Sequence, residues 1–363
     1  MGILYQNPAK TITVIDIPRS IELAQGHRSP GRLLSCTPLQ EPYPSVEPKS
    51  AKARAQLPEV PLQELLLQRH LALALEEVER DFTDAKWCLE RVISDEQHHS
   101  EQEEQEDASK YEILTLQNPT SELILHAINP SGLAVSLPPH STTIQGEIKH
   151  TLHIFTISAP KFDIVVLDPP WPNRSARRKN SYFTSYGKRE IHDLLLSLPL
   201  PTHLANNAIV AVWVTNKPAF RDMLLEEGGV FDAWGVQLVE EWVWVKVTAS
   251  GVPICGLDSR WRKPYEILLL ARKLPRPVFG GVAEVDRRVV ISVPDIHSQK
   301  PSLKGLFEDV FGKEEGTYEG LEIFARNLTS GWWSWGNEVL KFQFLDCWAG
   351  SMNCRPSTPT API

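Results

Sequence analysis

The sequence predicts an α/β protein built on a doubly wound sheet, with an N-terminal extension that is partly helical and partly disordered. Three observations carry this reading. From Tyr111 onward, short branched apolar runs alternate with segments of helical periodicity. Several runs are continuously apolar, as in strands buried on both faces. Residues 1 to about 60 are instead rich in proline and serine.

The elements follow in order. Residues 1–59 read as a flexible N-terminal region with one strand candidate, Thr11 to Ile17, and a linker from Pro30 to Pro58. Residues 60–110 read as a helical segment followed by an acidic linker. Leu62, Leu65, Leu66, Leu73, Leu75, Val78, Phe82 and Trp87 recur near helical spacing, with an interruption near Asp81. Pro61 suits a first turn, where its missing N–H costs nothing. The run from Asp95 to Asp107 is acidic and glutamine-rich, the pattern of a solvated helix end or linker. His98 and His99 within it do not share a helix face and have no cysteine nearby, so no metal site is expected.

Residues 111–348 form the predicted α/β domain. Strand candidates are Leu123 to Ile128, Thr142 to Ile148, Asp163 to Leu167, Ala208 to Val214, Leu238 to Val247, Glu266 to Ala271, Val289 to Val293 and Leu321 to Phe324. Helix candidates are Arg189 to Leu198, Ala219 to Glu227 and Leu303 to Phe311. In such sheets ligands bind beyond the carboxyl ends of the strands. Residues 349–363 read as a flexible tail.

Composition bounds the function classes. With 363 residues, 42% of them hydrophobic, the chain can bury one sizeable core with extensions. No apolar run approaches the roughly 20 residues of a membrane span. Met1 to Lys10 lack the order of a signal peptide, so a soluble intracellular protein is expected. The five cysteines (Cys36, Cys88, Cys255, Cys347 and Cys354) form no CxxC pair and read as reduced thiols. A net charge of -8 counts mildly against a nucleic-acid partner, unless basic residues cluster locally.

The most informative stretch is Phe162-Asp163-Ile164-Val165-Val166-Leu167-Asp168-Pro169-Pro170-Trp171. A buried strand runs into an acid, two prolines and an aromatic. The prolines cannot extend the ladder, so the strand stops in a stiff loop. Such a loop can hold an aryl amine. Asp168 accepts one N–H and the main-chain carbonyl of Pro169 the other, which aims the nitrogen lone pair at a methyl donor. Trp171 offers a face for a stacked base. The plainer reading is a strand-ending Asp-Pro turn with a half-buried tryptophan.

The motif resembles that of the adenine-N6 methyltransferases named for the seventy-kilodalton MT-A subunit of the mRNA enzyme. Pro138-Pro139-His140-Ser141-Thr142, Trp213-Val214-Thr215-Asn216, Glu241-Trp242-Val243-Trp244-Val245-Lys246, Lys263-Pro264-Tyr265-Glu266, His297-Ser298-Gln299-Lys300-Pro301, Phe324-Ala325-Arg326-Asn327 and Gly331-Trp332-Trp333-Ser334-Trp335-Gly336-Asn337-Glu338 follow the order of its methyltransferase-like-four branch. The resemblance covers residues 120 to 345 or so.

The resemblance implies a Rossmann-like doubly wound sheet of the S-adenosylmethionine-dependent methyltransferases. It makes Asp168, Pro169, Pro170 and Trp171 the catalytic loop. It places the S-adenosylmethionine pocket on Glu147 and Ile148 for the adenine side, with Glu147 standing where the family usually has aspartate. Asp168 and Lys300 fall by the donor's methionine part. Arg326 and Asn327 line the ribose region, and Asn337 and Glu338 close it. No metal is implied. A GxGxxG fingerprint is absent, as is a P-loop.

Basic residues interleaved with aromatics follow the loop directly. Asn173, Arg174, Arg177, Arg178 and Lys179, then Tyr182, Phe183 and Tyr186, suit a phosphate backbone and splayed bases. Lys263, with Arg260 and Arg262, forms a second basic group. The plainer reading is a solvated loop or a nuclear-localisation patch. Trp242, Trp244 and Trp335 are expected in the core.

The expected function is N6 methylation of adenosine in RNA, with small nuclear RNA carrying 2′-O-methyladenosine suggested by the branch. DNA adenine is the rival substrate. A catalytically inactive RNA-binding scaffold is the alternative of another class. The expected location is the nucleus, with the cytosol as an additional one. Neither a membrane nor a protein partner is implied.

Overall fold

The apolar run before Asp168 forms a strand near the middle of an 11-stranded mixed sheet. The computed structural model describes residues 2–27, 29–44, 60–83, 86–93, 113–128, 134–172, 187–260, 262–274, 285–296 and 299–350. The strands of the sheet are β1 (Ile3–Gln6), β2 (Ile12–Ile15), β3 (Leu114–Gln117), β4 (Thr142–Gln145), β5 (Phe162–Leu167), β6 (Leu204–Val214), β7 (Gln237–Lys246), β8 (Tyr265–Arg272), β9 (Asp286–Ser292), β10 (Gly320–Ile323) and β11 (Trp332–Gly336). They lie in the order β1-β2-β9-β7-β8-β6-β5-β10-β11-β4-β3. Strand β8 is antiparallel to both neighbours, and β1 and β3 at the edges are antiparallel to theirs. The other strands share one direction.

Helices cover both faces. On one side lie α3 (Ile148–Ser158), α4 (Lys188–Ser197), α5 (Pro218–Leu225) and α6 (Val230–Trp234), which pack Phe155, Leu194, Phe220 and Trp234 against Val165 and Leu167. On the other, α1 (Ile17–Ala24) and α7 (Lys304–Phe311) pack Ile17, Ile21 and Phe307 among Ile164 and Val166. The alternation of Ile164, Val165, Val166 and Leu167 between the two layers is the period of a strand. Helix α2 (Leu62–Asp81) lays Leu67, Leu71, Ala74 and Val78 against Val243, Val245 and Ile291. Trp242, Trp244 and Trp335 are buried in the core as expected.

The N-terminal region departs from the flexible reading. Residues 2–27 carry β1, β2 and α1, and β2 pairs in parallel with β9 through Val289↔Ile12, Val290↔Thr13 and Ile291↔Val14. The cause is apolar content: Val14, Ile17 and Ile21 are fully buried. Asp16 ends the strand and starts the helix, because its Oδ1 accepts Arg19 N–H at 2.9 Å. The expected strand Thr142 to Ile148 likewise ends at Gln145, and Ile148 opens α3. The candidate Leu123 to Ile128 forms Ile124–Ala127 in a separate two-stranded ribbon. The acidic run and the tail from residue 351 lie outside the described residues. Among the described residues no helix is long and apolar enough to cross a membrane.

One topological feature positions the site. From β5 the chain passes to β6 on one side, whereas from the adjacent β10 it passes to β11 on the other. Connections that diverge from two neighbouring parallel strands open a crevice at their carboxyl ends.

Candidate active site

Asp168 leaves β5 at that crevice. Its N–H donates to Ile323 O of β10 at 3.4 Å, the last rung before the two prolines. Trp171 N–H donates back to Pro169 O at 2.7 Å, which closes a tight turn and leaves the carbonyl a second lone pair. The Trp171 indole N–H donates to Trp213 O at 2.7 Å. Its ring lies 4.9 Å from that of Phe220 at 36°. Lys217 Nζ donates to Pro172 O at 2.7 Å. The loop is therefore pinned to β6 through Trp171 and to Lys217 beyond it through Pro172, and the half-buried Trp171 is an anchor as well as a partly exposed face.

Two cations flank the acid. Arg326 Nη1 donates to Asp168 Oδ2 at 3.2 Å, and Lys300 Nζ lies 3.6 Å from Oδ1. Lys300 also pairs with Glu266, whose other oxygen pairs with Lys246. The Lys300 ammonium sits 4.8 Å from the ring of Trp213 and 5.6 Å from that of Trp244. Burial alone would push Glu266 up, but Lys300 and Lys246 outweigh it and hold its carboxyl down to about 2. Burial works against the charge on Lys300, yet Asp168 and Glu266 raise its pKa above the usual lysine range. Arg326 is held high in the same way by Asp168 and Glu338, against its burial.

The residues expected for the donor converge on the same edge. Gly146 N–H donates to Gly336 O at 2.9 Å, which brings the ends of β4 and β11 together. Both glycines have positive φ, 143° and 153°. A Cβ on Gly336 would stand 3.1 Å from Phe324 Cα, so the turn requires glycine there. Beyond Gly146, Glu147 opens α3 with its carboxylate 41% exposed and 3.5 Å from His150 Nδ1. Ile148 is buried behind it. Beyond Gly336, Asn337 is exposed and its carbonyl accepts Gln145 Nε2 at 2.6 Å. Glu338 accepts Arg326 Nε at 3.0 Å and lies 3.4 Å from Lys341. Burial pushes the Glu338 carboxyl up, but Lys341 and Arg326 bring it below the usual range. Asn327 and Lys300 wall one small cavity.

Asn173, Arg174, Arg177, Arg178 and Lys179, with Tyr182, Phe183 and Tyr186, lie outside the described residues. Lys263 departs from the expectation of an open basic surface. Its ammonium is 13% exposed and pairs with Glu64 of α2, so it ties that helix to the β7–β8 region. Among the described residues no group of His, Cys, Asp or Glu is placed to hold a metal ion.

Two acids escaped the sequence reading as site residues, Glu266 and Glu322. Each is the lone charge within an apolar strand segment, Tyr-Glu-Ile-Leu-Leu-Leu and Gly-Leu-Glu-Ile. A charge there is expensive unless it is paired or functional, which is the signal that could have found both. Burial, with Asp168 adding and Arg326 opposing, pushes the Glu322 carboxyl up to about 7.

Residues 162–338 match the family model MT-A70. The chain is 37% identical to the N6-methyladenosine RNA methyltransferase MTA1 of Cryphonectria parasitica, over 96% of this chain and 95% of that protein. It is 40% identical to the N(6)-adenine-specific methyltransferase METTL4 of Homo sapiens, over 58% of this chain and 44% of that protein. It is 32% identical to the DNA N6-methyl methyltransferase of Caenorhabditis elegans, over 59% of this chain and 56% of that protein.

Proposed function

Because the chain belongs to the MT-A70 family, we propose that it transfers a methyl group from S-adenosylmethionine to N6 of adenine in RNA. The observation that carries the reading is the rigid Asp168-Pro169 turn at the crevice between β5 and β10, flanked by Arg326 and Lys300.

The residues present suit the donor in kind. Its carboxylate calls for a cation, which Lys300 offers. Its ribose diol calls for polar groups of both signs, which Arg326, Asn327, Asn337 and Glu338 offer. Its purine calls for an apolar wall, which Ile148 offers beside the N-terminal end of α3 and Glu147. S-adenosylmethionine supplies a methyl group on a positively charged sulfur.

The chain does the rest by orientation. The lone pair of an aryl amine is delocalised into its ring. Asp168 and the Pro169 carbonyl accept the two N–H bonds, which favours a pyramidal nitrogen with its lone pair free. Arg326 and Lys300 fix the carboxylate, so little reorganisation is needed during transfer. The ring of Trp171, clamped through Trp213 and Phe220, presents a platform for the base. The basic residues Arg174, Arg177, Arg178 and Lys179, which follow Trp171 closely in the sequence, supply cations for the phosphate backbone.

Several finer points belong to the same proposal. RNA is favoured because a relative matched along almost the whole chain is named an RNA methyltransferase. The methyltransferase-like-four resemblance suggests small nuclear RNA carrying 2′-O-methyladenosine, and a nuclear location with the cytosol as an additional one. DNA is the second reading, favoured by the nematode relative. It requires a base flipped from the duplex at a cost of a few kcal/mol. An inactive scaffold is disfavoured by the intact Asp168-Pro169-Pro170-Trp171 loop.

The test is methyl transfer from labelled S-adenosylmethionine to matched oligonucleotides, RNA with and without 2′-O-methyladenosine and DNA, followed by nucleoside mass spectrometry. N6-methylated RNA supports the proposal. Product from DNA alone selects the second reading. No product together with no donor binding selects the scaffold.

A further inference from the structure

Glu322 is the acid that none of these steps uses. On β10 it stands between Val166 of β5 and Ser334 of β11. Glu322 is half-buried, and the Ser334 hydroxyl beside it is buried without a partner. A buried, unpartnered hydroxyl such as that of Ser334 calls for water.

Space for water adjoins it. Glu322 walls a cavity of about 30 Å³ together with Lys300, Ser302, Lys304 and Asn327. That volume exceeds the roughly 10–15 Å³ that one water needs. Ser302 and Lys304 are also walls of an outer pocket of about 360 Å³, which Glu308, Glu315 and His27 line from beyond. Lys304 is 8% exposed, and its ammonium lies 2.5 Å from Glu315 and 3.8 Å from Glu308. A thin partition of one serine and one lysine thus separates the space beside Glu322 from an open pocket on the far side of α7.

We propose that Glu322 is a positioning residue that receives, through Asp168, the proton released by the methylated amine, and passes it outward past Ser302 and Lys304. The inference rests on the methyltransferase reading above. In the reaction the nitrogen lone pair forms the new N–C bond. The C–S bond of the donor breaks, and its electron pair stays on sulfur. The nitrogen then carries a positive charge and one proton too many. That N–H bond breaks with its pair left on nitrogen. The proton goes to Asp168, then to the ionised Glu322, then by water to bulk.

The need for such a route is physical. A nucleic acid bound over the catalytic loop covers the front of the crevice and excludes water from it. The charged groups that act on Glu322 are Asp168 and Arg326, and Lys300 and Lys304 wall the same cavity. Burial and the charge of Asp168 poise the carboxyl about 7, where it can take up and give back a proton at neutral pH.

The experiment compares the wild-type chain with Glu322→Gln, an isosteric change that cannot accept a proton. Multiple-turnover methyl transfer to the RNA oligonucleotide, which includes proton release, is followed from acid to alkaline pH. Donor affinity is measured by calorimetry, and the wild-type carboxyl is titrated by infrared spectroscopy without substrate. The expected result is a wild-type rate that rises through about 7, an E322Q rate about a hundredfold lower at alkaline pH with no rise, and unchanged donor Kd. A carboxyl stretch should vanish about 7, and E322D should move that midpoint. An E322Q profile matching wild type, or no carboxyl titrating near neutrality, overturns the relay. If E322Q fails to fold, the E322D profile and the infrared titration decide. A wild-type chain that binds no donor and methylates nothing overturns the methyltransferase reading itself, and the relay with it.

Discussion

Arg326 donates from Nη1 to Asp168 Oδ2 at 3.2 Å, across the crevice between β5 and β10. The two residues belong to segments more than a hundred and fifty positions apart, |i−j| = 158, and meet only because their strands are neighbours. Neither depends on the other alone. Arg326 also holds Glu338, and Lys300 also holds Glu266.

That sharing shapes the first prediction. Asp168→Ala removes the acceptor for the amine, while both flanking cations keep a carboxylate. Methyl transfer should fall at least about a hundredfold, in the range seen when a charge-stabilising group is removed. The far-ultraviolet dichroism should match wild type. Transfer within tenfold of wild type would count against the role given to Asp168.

Glu266 carries a sharper energetic expectation. Glu266→Gln leaves Lys246 and Lys300 without their shared carboxylate. Both lysines are only about one-fifth exposed, 22% and 19%, so the cost should lie between that of a surface pair and a buried one, about 2 kcal/mol. The folded carboxyl is held to about 2, below its ordinary value. Its contribution is thus present above the ordinary carboxylate range and is lost as pH falls towards 2. Urea midpoints of wild type and E266Q should differ at pH 7 and converge in strong acid.

Trp171 separates anchoring from stacking. Trp171→Phe keeps a ring against Phe220 but leaves Trp213 O without its donor. We expect a stability loss of about 1 kcal/mol and a measurable fall in transfer. Trp171→Ala loses both contacts and should weaken oligonucleotide binding further, read as a rise in KM beyond the fall in kcat. Equal behaviour of the two variants would remove the platform role.

These sites were unequally legible. Asp168 stood out because a continuous apolar run ends abruptly in two prolines. The strand β11 did not, because Trp-Trp-Ser-Trp-Gly mixes aromatics with small polar residues. Helix α3, Ile-Lys-His-Thr-Leu-His-Ile-Phe-Thr-Ile-Ser, is rich in β-branched residues that favour strands, and burial of Ile148, Thr151 and Phe155 overrides that preference. Lys263 looked like a substrate contact because no sequence rule reveals that Glu64, 199 positions away, reaches it. The convergence of Lys300, Arg326 and Glu338 became legible only through strand order, or through the family resemblance that stands in for it.

Glu322 makes stability fall with pH. Its folded carboxyl is raised to about 7 from the ordinary 4.5. The stabilisation is present below 4.5 and is lost as pH rises through about 7, when a buried group must ionise. E322Q removes that penalty. It should be more stable than wild type at pH 8, by a few kcal/mol at most, and show a flatter stability profile between pH 5 and 8. Parallel profiles from thermal melts in that window would show that Glu322 ionises freely.

The N-terminal residues offer the strongest test of the fold. Thr11 to Ile17 reads as a short strand in a proline-rich region, which suggests an extension that could be removed. The structure argues otherwise. Strand β2 completes the far side of the sheet against β9, and Ile12 and Val14 meet Leu71 and Val78 of α2 in one cluster. Ile17 and Ile21 pack with Trp213, Trp244 and Phe307 directly beneath the catalytic edge. Gln25 donates to Leu328 O at 2.9 Å and accepts from Gln343, so α1 also braces the segment that follows Arg326. Deleting residues 1–27 strips about five large buried aliphatic side chains, each contributing roughly 1.5–3 kcal/mol, which together are comparable to the whole stability of a typical domain. The truncated chain should be insoluble or unfolded by dichroism, and should not bind S-adenosylmethionine. A folded, donor-binding truncation would mean that β1, β2 and α1 only decorate a sheet that is complete without them.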